Sequence, residues 1–446
     1  MVPKRRGNLF LAGRIVSTSH VAFGSTRVML TGAHNAQAAA TAAALCKELD
    51  LLPEDVAQPV HMRELQRRLV RTGQFIPGYA LTELNDLART AQVSATTSLD
   101  PAIGLAPERA RDAWKARGEQ VEYIIEHAKE SHIPVSQDSI PSHGVYQRSV
   151  VPEFASRFPV TPVIEPFTRP VAVMVPVETG PFGEIVVHAD VLESTTLTAE
   201  LRVSEKPTNH TPEVILETKT VPVSRGADQS IRIGFTGQIS ERCYAYVVFR
   251  PNEYIALRTI PHWITGMFLL EQTGEQFPPI EWGLDSFEIW TPPRRPGGRA
   301  VAFGLSNTSY GDNSPFAPEN VVNGIQRPAI WPNAWVADPS DPAPEITLEW
   351  SERKSIGCVE IVFDTDYNHP METVVRGHPE AEMPMCVRAF ELKDDSGHVI
   401  AGESSWYQSL WKIHLSDAIS TTRLSLAITA MNGDAPAAVF AIRVYA

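Results

Sequence analysis

The residues with the clearest chemical meaning lie in one segment of the sequence, from Asn8 to Leu45. Its apolar start, Asn8 to Ala12, predicts a buried strand that ends at Gly13, and after a loop a helix is expected to open at Gly24 and Ser25. A helix N-terminus presents unpaired N–H groups and the positive end of a dipole. The segment is therefore suited to an anion or a polarised carbonyl, although many such units bind nothing.

Metal and thiol chemistry are weaker alternatives. A polar cluster comes directly after an apolar strand: Asp364, Asp366, His369 and Glu372. Oxygen ligands at i and i+2 suit calcium, but the sequence lacks a regular ligand loop after them, which favours a solvated turn. The four cysteines form no C-x-x-C pair, so zinc is disfavoured, and Cys358 and Cys386 are expected to be reduced thiols unless the compartment is oxidising. No metal site is predicted.

Composition narrows the class of protein. With 39 Lys and Arg against 52 Asp and Glu, the net charge is -13, which disfavours binding to nucleic acid or to an anionic membrane. The 36 prolines outnumber the 27 glycines and favour β domains. The start has no convincing signal peptide, and the longest apolar run, Ala36 to Cys46, is too short to span a bilayer. We expect a soluble chain, with the cytoplasm favoured.

The predicted fold class is mainly β, with an α/β-type N-terminal remnant that consists of one strand and helices. One long helix is expected from Ser25 to before Pro53, and a second from about Met62 to Thr72. Alternating apolar runs after residue 160 predict two jelly-roll-like β-sandwiches. The expected domains are residues 1–80, a first sandwich at 81–275 with a helical insertion at about 105–135, a linker at 276–299, and a second sandwich at 300–446 that should fold alone.

The amino-acid sequence of the N-terminal segment resembles that of a known protein family. Residues 8–46, NLFLAGRIVSTSHVAFGSTRVMLTGAHNAQAAATAAALC, resemble the end of the flavin-binding domain in a bacterial family of FAD-dependent oxidoreductases, and ELQRRLVRTGQFIPG, Glu64 to Gly78, resembles the continuation of that family's sequence. The resemblance implies that FAD is the cofactor and that hydride passes from a substrate to the flavin. It puts one set of residues beside the cofactor: Gly13, Arg14, Gly24, Ser25 and Arg27. It places His20 near the reactive ring as a base, with Arg27 stabilising negative charge.

The motif that would hold the FAD pyrophosphate, G-x-G-x-x-G, occurs nowhere in the sequence. The resemblance then implies a fragment, or one subunit of a split enzyme, that shares FAD with a partner carrying this motif and does not bind FAD alone. The apolar N-terminal strand has no βαβ neighbour to cover it, so a partner subunit, self-association or the sandwiches of the same chain must do so.

A second resemblance lies near the other end. FAPENVVNGIQRPAIWPNAWVA, Phe316 to Ala337, and the strands after it resemble the discoidin or galactose-binding-like jelly roll, and DLARTAQVSATTS, Asp86 to Ser98, resembles its opening strand. Because such modules bind sugars through aromatic residues on loops, four residues are candidates for a stacking platform: Trp331, Trp335, Trp406 and Trp411. Trp335 and Trp350 are expected rather to anchor the core. The alternative function is therefore a non-catalytic carbohydrate-binding or assembly protein.

Overall fold

The structure is a computed structural model, and its described part covers the following residues: 2–3, 6–100, 166–260, 264–267, 269–276, 287–291, 300–301, 303–306, 310, 314–365, 385–433 and 435–446. The chain divides into two compact units, Met1–Glu83 and Leu84–Ala446. The expected helical insertion at about 105–135 lies outside the described residues, as do Asp366, His369 and Glu372 of the polar cluster.

The first unit is helical. Its elements are α1 (His20–Thr26), α2 (Met29–Leu49), a 3-10 helix (Pro53–Ala57) and α3 (Pro59–Arg71). The small core of this unit joins Leu45 and Cys46 of α2 to Leu65 and Leu69 of α3. The second expected helix is confirmed, but the expected single helix from Ser25 is interrupted, because Arg27 is the C-cap of α1 and Val28, before α2, has an extended backbone with φ -69° and ψ 153°. Ser19 caps α1 through its hydroxyl, which accepts the N–H of Ala22 at 3.3 Å.

The N-terminal strand does not form in the described part of the first unit. Asn8 to Ala12 pairs with no strand, and Leu9 in this segment is exposed. A strand is stabilised by hydrogen bonds to a neighbour, and the described residues of this unit supply none. Phe10 packs instead beside the core between the helices.

Two antiparallel sheets form a β-sandwich in the middle of the chain. The six-stranded sheet has the order β11-β10-β2-β7-β4-β5, and the four-stranded sheet has β3 between β13 and β6, with β8 also paired to β3. Alternate side chains of β3 and β7, such as Val187 and Val247, meet in one buried cluster. The strands in chain order are β2 (Val171–Val177), β3 (Gly180–Val191), β4 (Thr195–Val203), β5 (Val214–Val223), β6 (Gly226–Ile239), β7 (Cys243–Phe249), β8 (Ile255–Leu257), β9 (Thr259–Ile260), β10 (Leu269–Gln276), β11 (Phe287–Thr291), β12 (Ala300–Val301) and β13 (Phe303–Ser306).

The C-terminal part folds as a seven-stranded antiparallel sheet in the order β14-β19-β15-β18-β16-β17, and the early strand β1 (Gln92–Ala95) also pairs with β15. Register shifts interrupt the pairing of β15 with β18. The apolar side chains of these strands, among them Trp335 and Phe390, enclose a second core. The bounds are β14 (Trp335–Val336), β15 (Glu345–Phe363), β16 (Val387–Lys393), β17 (Val399–Glu403), β18 (Leu410–Met431) and β19 (Ala438–Tyr445). The expected fold class, mainly β with helices near the N-terminus, is confirmed.

The strand pairing differs from the expected domain boundaries in two places. The sequence predicts that β1 opens the first sandwich, but β1 pairs with β15 of the C-terminal sheet, with Ala95 opposite Ile346. The expected linker at 276–299 contains β11, which pairs with β10, and β13, expected in the second sandwich, pairs with β3 of the first. The pairs Pro278-Pro279, Pro292-Pro293 and Gly297-Gly298 favour a linker in the sequence. In the structure Phe303 and Leu305, which come shortly after them, are buried because they fill the sandwich core.

The cysteines and carboxylates give no metal site in the described part of the chain. All four cysteines are free and buried, and desolvation raises the pKa of the Cys243 thiol to about 11 and that of Cys386 to about 12. Both thiols are therefore protonated at neutral pH. Asp364, from the polar cluster, is buried and accepts a hydrogen bond from the hydroxyl of Thr265 at 2.7 Å. Among the described helices, none is both long and apolar enough to cross a membrane.

Candidate functional site

Gly13 and Arg14 lie in a turn that packs on the first part of α2. Gly13 has φ +68°, a left-handed conformation that favours glycine, and a Cβ built on Gly32 of α2 would lie 3.6 Å from the Cα of Gly13. The turn therefore lies in van der Waals contact with α2 at Gly32, and the positive φ is what favours glycine at position 13. Arg14 comes directly after Gly13 and is exposed.

Gly24 and Ser25 are not at a helix N-terminus. They lie in the second half of α1, which begins at His20 and ends at Thr26. The expectation that they present free N–H groups is therefore wrong, because the N–H groups that a helix leaves unpaired belong to its first four residues. Ser25 is exposed, and no atom lies within 4 Å of the place where a Cβ would stand on Gly24. The side chain of Ser25 and the Cα of Gly24 are therefore exposed to solvent, whereas the backbone N–H groups of both residues lie within the helix.

His20 and Arg27 stand at the two ends of α1. His20 is the first residue of the helix, and the centroid of its ring is 5.2 Å from that of Phe23. Arg27 is the C-cap, and its backbone N–H donates to the carbonyl of Phe23 at 3.1 Å. A helix of this length spans about 10 Å, so the two side chains bracket α1 rather than meet. Arg27 and the Gly13 turn both lie beside the first turn of α2, since Arg27 precedes that helix by two residues.

Three of the four arginines of α3 form ion pairs within the first unit, and the fourth, Arg63, is exposed. Arg67 pairs with Glu64 at 2.8 Å and with Glu83, Arg68 pairs with Glu48 and Glu64, both at 2.7 Å, and Arg71 also pairs with Glu83. Hydrogen bonds from Arg67 and Arg68 lower the pKa of Glu64 to about 2. These arginines therefore serve the packing of α3.

Arg14 and Arg27 differ from these paired arginines of α3. Both are exposed, and neither forms a hydrogen bond or ion pair through its side chain within the described part of the chain. The sequence around them adds no negative charge, because all 52 Asp and Glu residues come after Lys47. An anionic group could therefore approach Arg14 and Arg27 without competition from local carboxylates.

The aromatic candidates in the second unit separate into buried and accessible residues. Trp335 and Trp350 are buried in the second core, which confirms that they anchor it. Trp411 is buried and donates to Glu403 at 3.1 Å. Trp331 is also buried, and the guanidinium carbon of Arg242 lies 4.7 Å from the centroid of its ring. Three of the four proposed platform residues are thus unavailable for stacking on a ligand.

Trp406 remains accessible, in the loop between β17 and β18. Its backbone N–H donates to the carbonyl of Arg388 at 2.7 Å, its carbonyl accepts from the side chain of Asn432 at 3.2 Å, and its indole N–H donates to Gln408 at 2.6 Å. Its neighbour Tyr407 is 65% exposed. Sequence reasoning missed Tyr407, although the run of small polar residues around this Trp-Tyr pair could have indicated a loop with two adjacent rings.

The comparisons with known proteins give one family match at the N-terminus. Residues 1–69 match the family model described as FAD dependent oxidoreductase, so this segment is similar to that family. No curated protein matches the chain significantly.

Among solved structures, the chain is similar to chitosan-binding module 1 of the chitosanase/glucanase from Paenibacillus sp. IK-5, with 10% identity over 31% of this chain and 91% of that one and a TM-score of 0.23. It is also similar to the family 32 carbohydrate-binding module of Streptococcus pneumoniae EndoD, with 9% identity over 40% of this chain and 94% of that one and a TM-score of 0.23. A third is the family 32 module of C. perfringens NanJ in complex with galactose, with 11% identity, 28% and 82% coverage and a TM-score of 0.22.

Proposed function

We propose that the chain is a component of an FAD-dependent oxidoreductase, in which residues 1–69 complete a flavin site together with a polypeptide that carries the dinucleotide-binding motif. The observation that carries this proposal is that Arg14 and Arg27 are exposed and unpaired in a segment that matches the oxidoreductase family model, whereas Arg67, Arg68 and Arg71 of α3 are paired. The match to residues 1–69 supports the cofactor, and the missing G-x-G-x-x-G supports a shared site.

The residues of the segment fit such a cofactor unequally. Gly13 leaves its surroundings open, since no atom lies within 4 Å of where its Cβ would stand, and Arg14 and Arg27 supply cations for anionic groups. Gly24 and Ser25 fit less well, because their backbone N–H groups lie inside α1. Only the exposed Cα of Gly24 and the hydroxyl of Ser25 remain for a contact with the cofactor.

When bound, FAD supplies a hydride acceptor at N5 of its ring system. The guanidinium of Arg27 would donate hydrogen bonds to negative charge on the ring system, and Arg14 would supply a second cation for anionic groups of the cofactor. The exposed imidazole of His20 would accept the proton that leaves the substrate at a ring nitrogen. The turn at Gly13 would hold Arg14 beside α2.

The purified chain alone is expected to bind no stoichiometric FAD, whereas the complex purified from the native host through a tag on this chain should show flavin absorbance. Arg27→Ala should weaken flavin retention in that complex about tenfold or more, because a hydrogen bond to a charged group contributes about 1.5–3 kcal/mol. Flavin released per chain after successive dialysis steps measures this.

Arg63→Ala is the matched control, because Arg63 is an exposed arginine of α3 in the same unit that lies outside the candidate site. Equal flavin loss from both variants would remove Arg27 from the site. Stoichiometric FAD on the isolated chain would overturn the shared site.

A second candidate function is supported by Trp406 and Tyr407. We propose that their loop binds carbohydrate, since the loop backbone is fixed by hydrogen bonds to Arg388 and Asn432 while the ring of Tyr407 stays exposed. Aromatic rings that stack on the apolar face of a sugar combine an apolar contact with a polar edge. The function would add substrate or surface targeting to the first unit.

A glycan ligand is first selected on an array of galactose-terminated and glucosamine-containing glycans. Tyr407→Ala is expected to lower the affinity for this glycan by about tenfold, which corresponds to about 1.4 kcal/mol. Val399→Ala is the control, because Val399 is an exposed apolar residue on the adjacent strand β17. The full chain is used in both measurements. If no glycan binds, or if both variants bind like the wild type, this second function is rejected.

A further inference from the structure

The sequence contains two Asn-Gly pairs, Asn323-Gly324 and Asn432-Gly433, and the structure places them in different surroundings. In such a pair the main-chain nitrogen of the glycine can attack the side-chain Cγ of the asparagine, because glycine has no Cβ that would crowd the approach. The reaction converts the side-chain amide to a carboxylate, so an Asn-Gly pair is a chemically labile position. The surroundings of each pair decide whether it reacts in the folded protein.

The first pair is held at both ends of the asparagine side chain. The side-chain oxygen of Asn323 accepts the backbone N–H of Ile325 at 2.7 Å, and its amide nitrogen donates to the side-chain oxygen of Asn333 at 3.2 Å. Gly324 is buried. Attack on Cγ at this pair must therefore break two hydrogen bonds beside a glycine that solvent does not reach.

The second pair follows β18 and is held less firmly. The side-chain amide of Asn432 donates to the carbonyl of Trp406 at 3.2 Å, and its backbone N–H donates to the carbonyl of Cys386 at 3.0 Å. In the part of the chain that the structure describes, neither the side-chain oxygen of Asn432 nor the N–H of Gly433 forms a hydrogen bond, and Gly433 is exposed. The nitrogen that would attack is thus accessible to water and has no protein partner there.

We propose that Asn432 is a modification site, at which the nitrogen of Gly433 attacks the side-chain Cγ. A bond forms between this nitrogen and Cγ, the bond from Cγ to Nδ2 breaks, and Nδ2 leaves as ammonia with the proton of the glycine N–H. The product is a cyclic imide. Water then adds to one of its two carbonyls and opens the ring, so that position 432 becomes an aspartate or an isoaspartate. Water is the co-reactant, and nothing is oxidised or reduced.

The modification removes a hydrogen bond that holds the loop of Trp406 and Tyr407. The amide of Asn432 is a donor to the carbonyl of Trp406, whereas a carboxylate at this position is an acceptor and has no proton to share with that carbonyl. Trp406 keeps its backbone bond to Arg388 and its indole bond to Gln408. The loop should therefore open more often, which weakens glycan binding. This effect on binding rests on the second candidate function, whereas the modification itself does not.

Peptide mapping of the full chain by mass spectrometry tests the modification during incubation in a mildly alkaline buffer, with isoaspartate measured separately. A synthetic peptide of residues 428–436 in the same buffer gives the rate without a fold. We expect Asn432 to be modified about tenfold faster than Asn323, with both products formed. Gly433→Ala should slow the reaction, because its Cβ crowds the attacking nitrogen. An intact Asn432 after full conversion of the peptide, or earlier modification of Asn323, overturns the site.

Hydrogen exchange of residues 404–409 in the full chain tests the effect on the loop. Asn432→Asp places a carboxylate at this position, and we expect exchange in these residues to become about tenfold faster. Asn323→Asp is the matched control, because it makes the same chemical change at the other Asn-Gly pair, and it should leave exchange in these residues unchanged. Equal exchange in the two variants overturns the release of the loop.

Glycan binding separates this inference from the function on which its effect rests. If the wild type binds a glycan, Asn432→Asp should lower the affinity for it, whereas Asn323→Asp should not. Equal affinities of the two variants overturn the link between the modification and binding. If the wild type binds no glycan while exchange in residues 404–409 rises in Asn432→Asp, the second candidate function is rejected and the modification site stands.

Discussion

A fragment of residues 300–446 is expected to remain unfolded, whereas residues 84–446 fold with a cooperative thermal transition. The reason is that one buried cluster includes Val336 and Phe440 of the C-terminal part together with strands of the first sandwich. A fragment that starts at residue 300 exposes these side chains to water, and burial of one large apolar side chain contributes about 1.5–3 kcal/mol. It also loses β1, which pairs with β15.

Near-UV circular dichroism and thermal melts of the two fragments measure the effect. Residues 84–446 are the control, because they form the second compact unit in full. A cooperative melt of residues 300–446 with a native near-UV spectrum would contradict the prediction. It would restore the boundary that the sequence favours at 276–299.

Trp335→Ala is expected to lower the free energy of unfolding by about 3–5 kcal/mol, the cost of removing a large aromatic side chain from a packed core. Trp335 is fully buried in β14, and its indole N–H donates to the carbonyl of Thr97 at 2.9 Å. The substitution leaves a cavity and takes the donor from that carbonyl. Trp335→Phe should cost less, since it keeps most of the ring and removes only the hydrogen bond.

Denaturant unfolding of the full chain, monitored by far-UV circular dichroism, gives the change. Tyr407→Ala is the matched control, because Tyr407 is an exposed aromatic residue of the same unit, and its removal should change stability by no more than about 0.5 kcal/mol. If Trp335→Ala unfolds at the same denaturant concentration as this control, Trp335 does not anchor the second core.

Much of the β architecture is predictable, because buried strands leave a clear pattern of apolar residues. The apolar runs Val171 to Pro176, Tyr244 to Phe249 and Val387 to Lys393 predict strands, and they lie in β2, β7 and β16. The pattern fails where polar residues continue a strand. The polar run SERKS, Ser351 to Ser355, interrupts the apolar pattern, so the sequence suggests two strands where β15 is one strand from Glu345 to Phe363.

The pairing of strands is less predictable than their positions. DLARTAQVSATTS is recognisable as a strand-bearing segment, but nothing local to β1 indicates that its partner is β15, far along the chain. The same limit applies to capping. The sequence predicts a helix start at Ser25, whereas in the structure the hydroxyl of Ser19 accepts an N–H at the start of α1.

The candidate site illustrates why charge alone does not indicate function. Arg27 and Arg71 are the same residue type in the same unit, yet Arg71 pairs with Glu83 while Arg27 has no ion pair within the described residues. Glu83 is twelve residues from Arg71 in sequence and is brought to it by the fold of the unit. Sequence can propose both arginines as ligands, but only the packing separates the structural one from the available one.

The pairing of β1 with β15 has a consequence for the synthesis of the protein. Ala95 leaves the ribosome roughly 250 residues before Ile346, its partner. At about 5–20 residues per second, the nascent chain extends for roughly 10–50 s before β1 can join its sheet. Val93, which is buried in the finished protein, is without its native partner strand throughout that interval. The C-terminal sheet therefore closes only near the end of translation, and a chaperone that shields β1 would act on the growing polypeptide rather than on the released one.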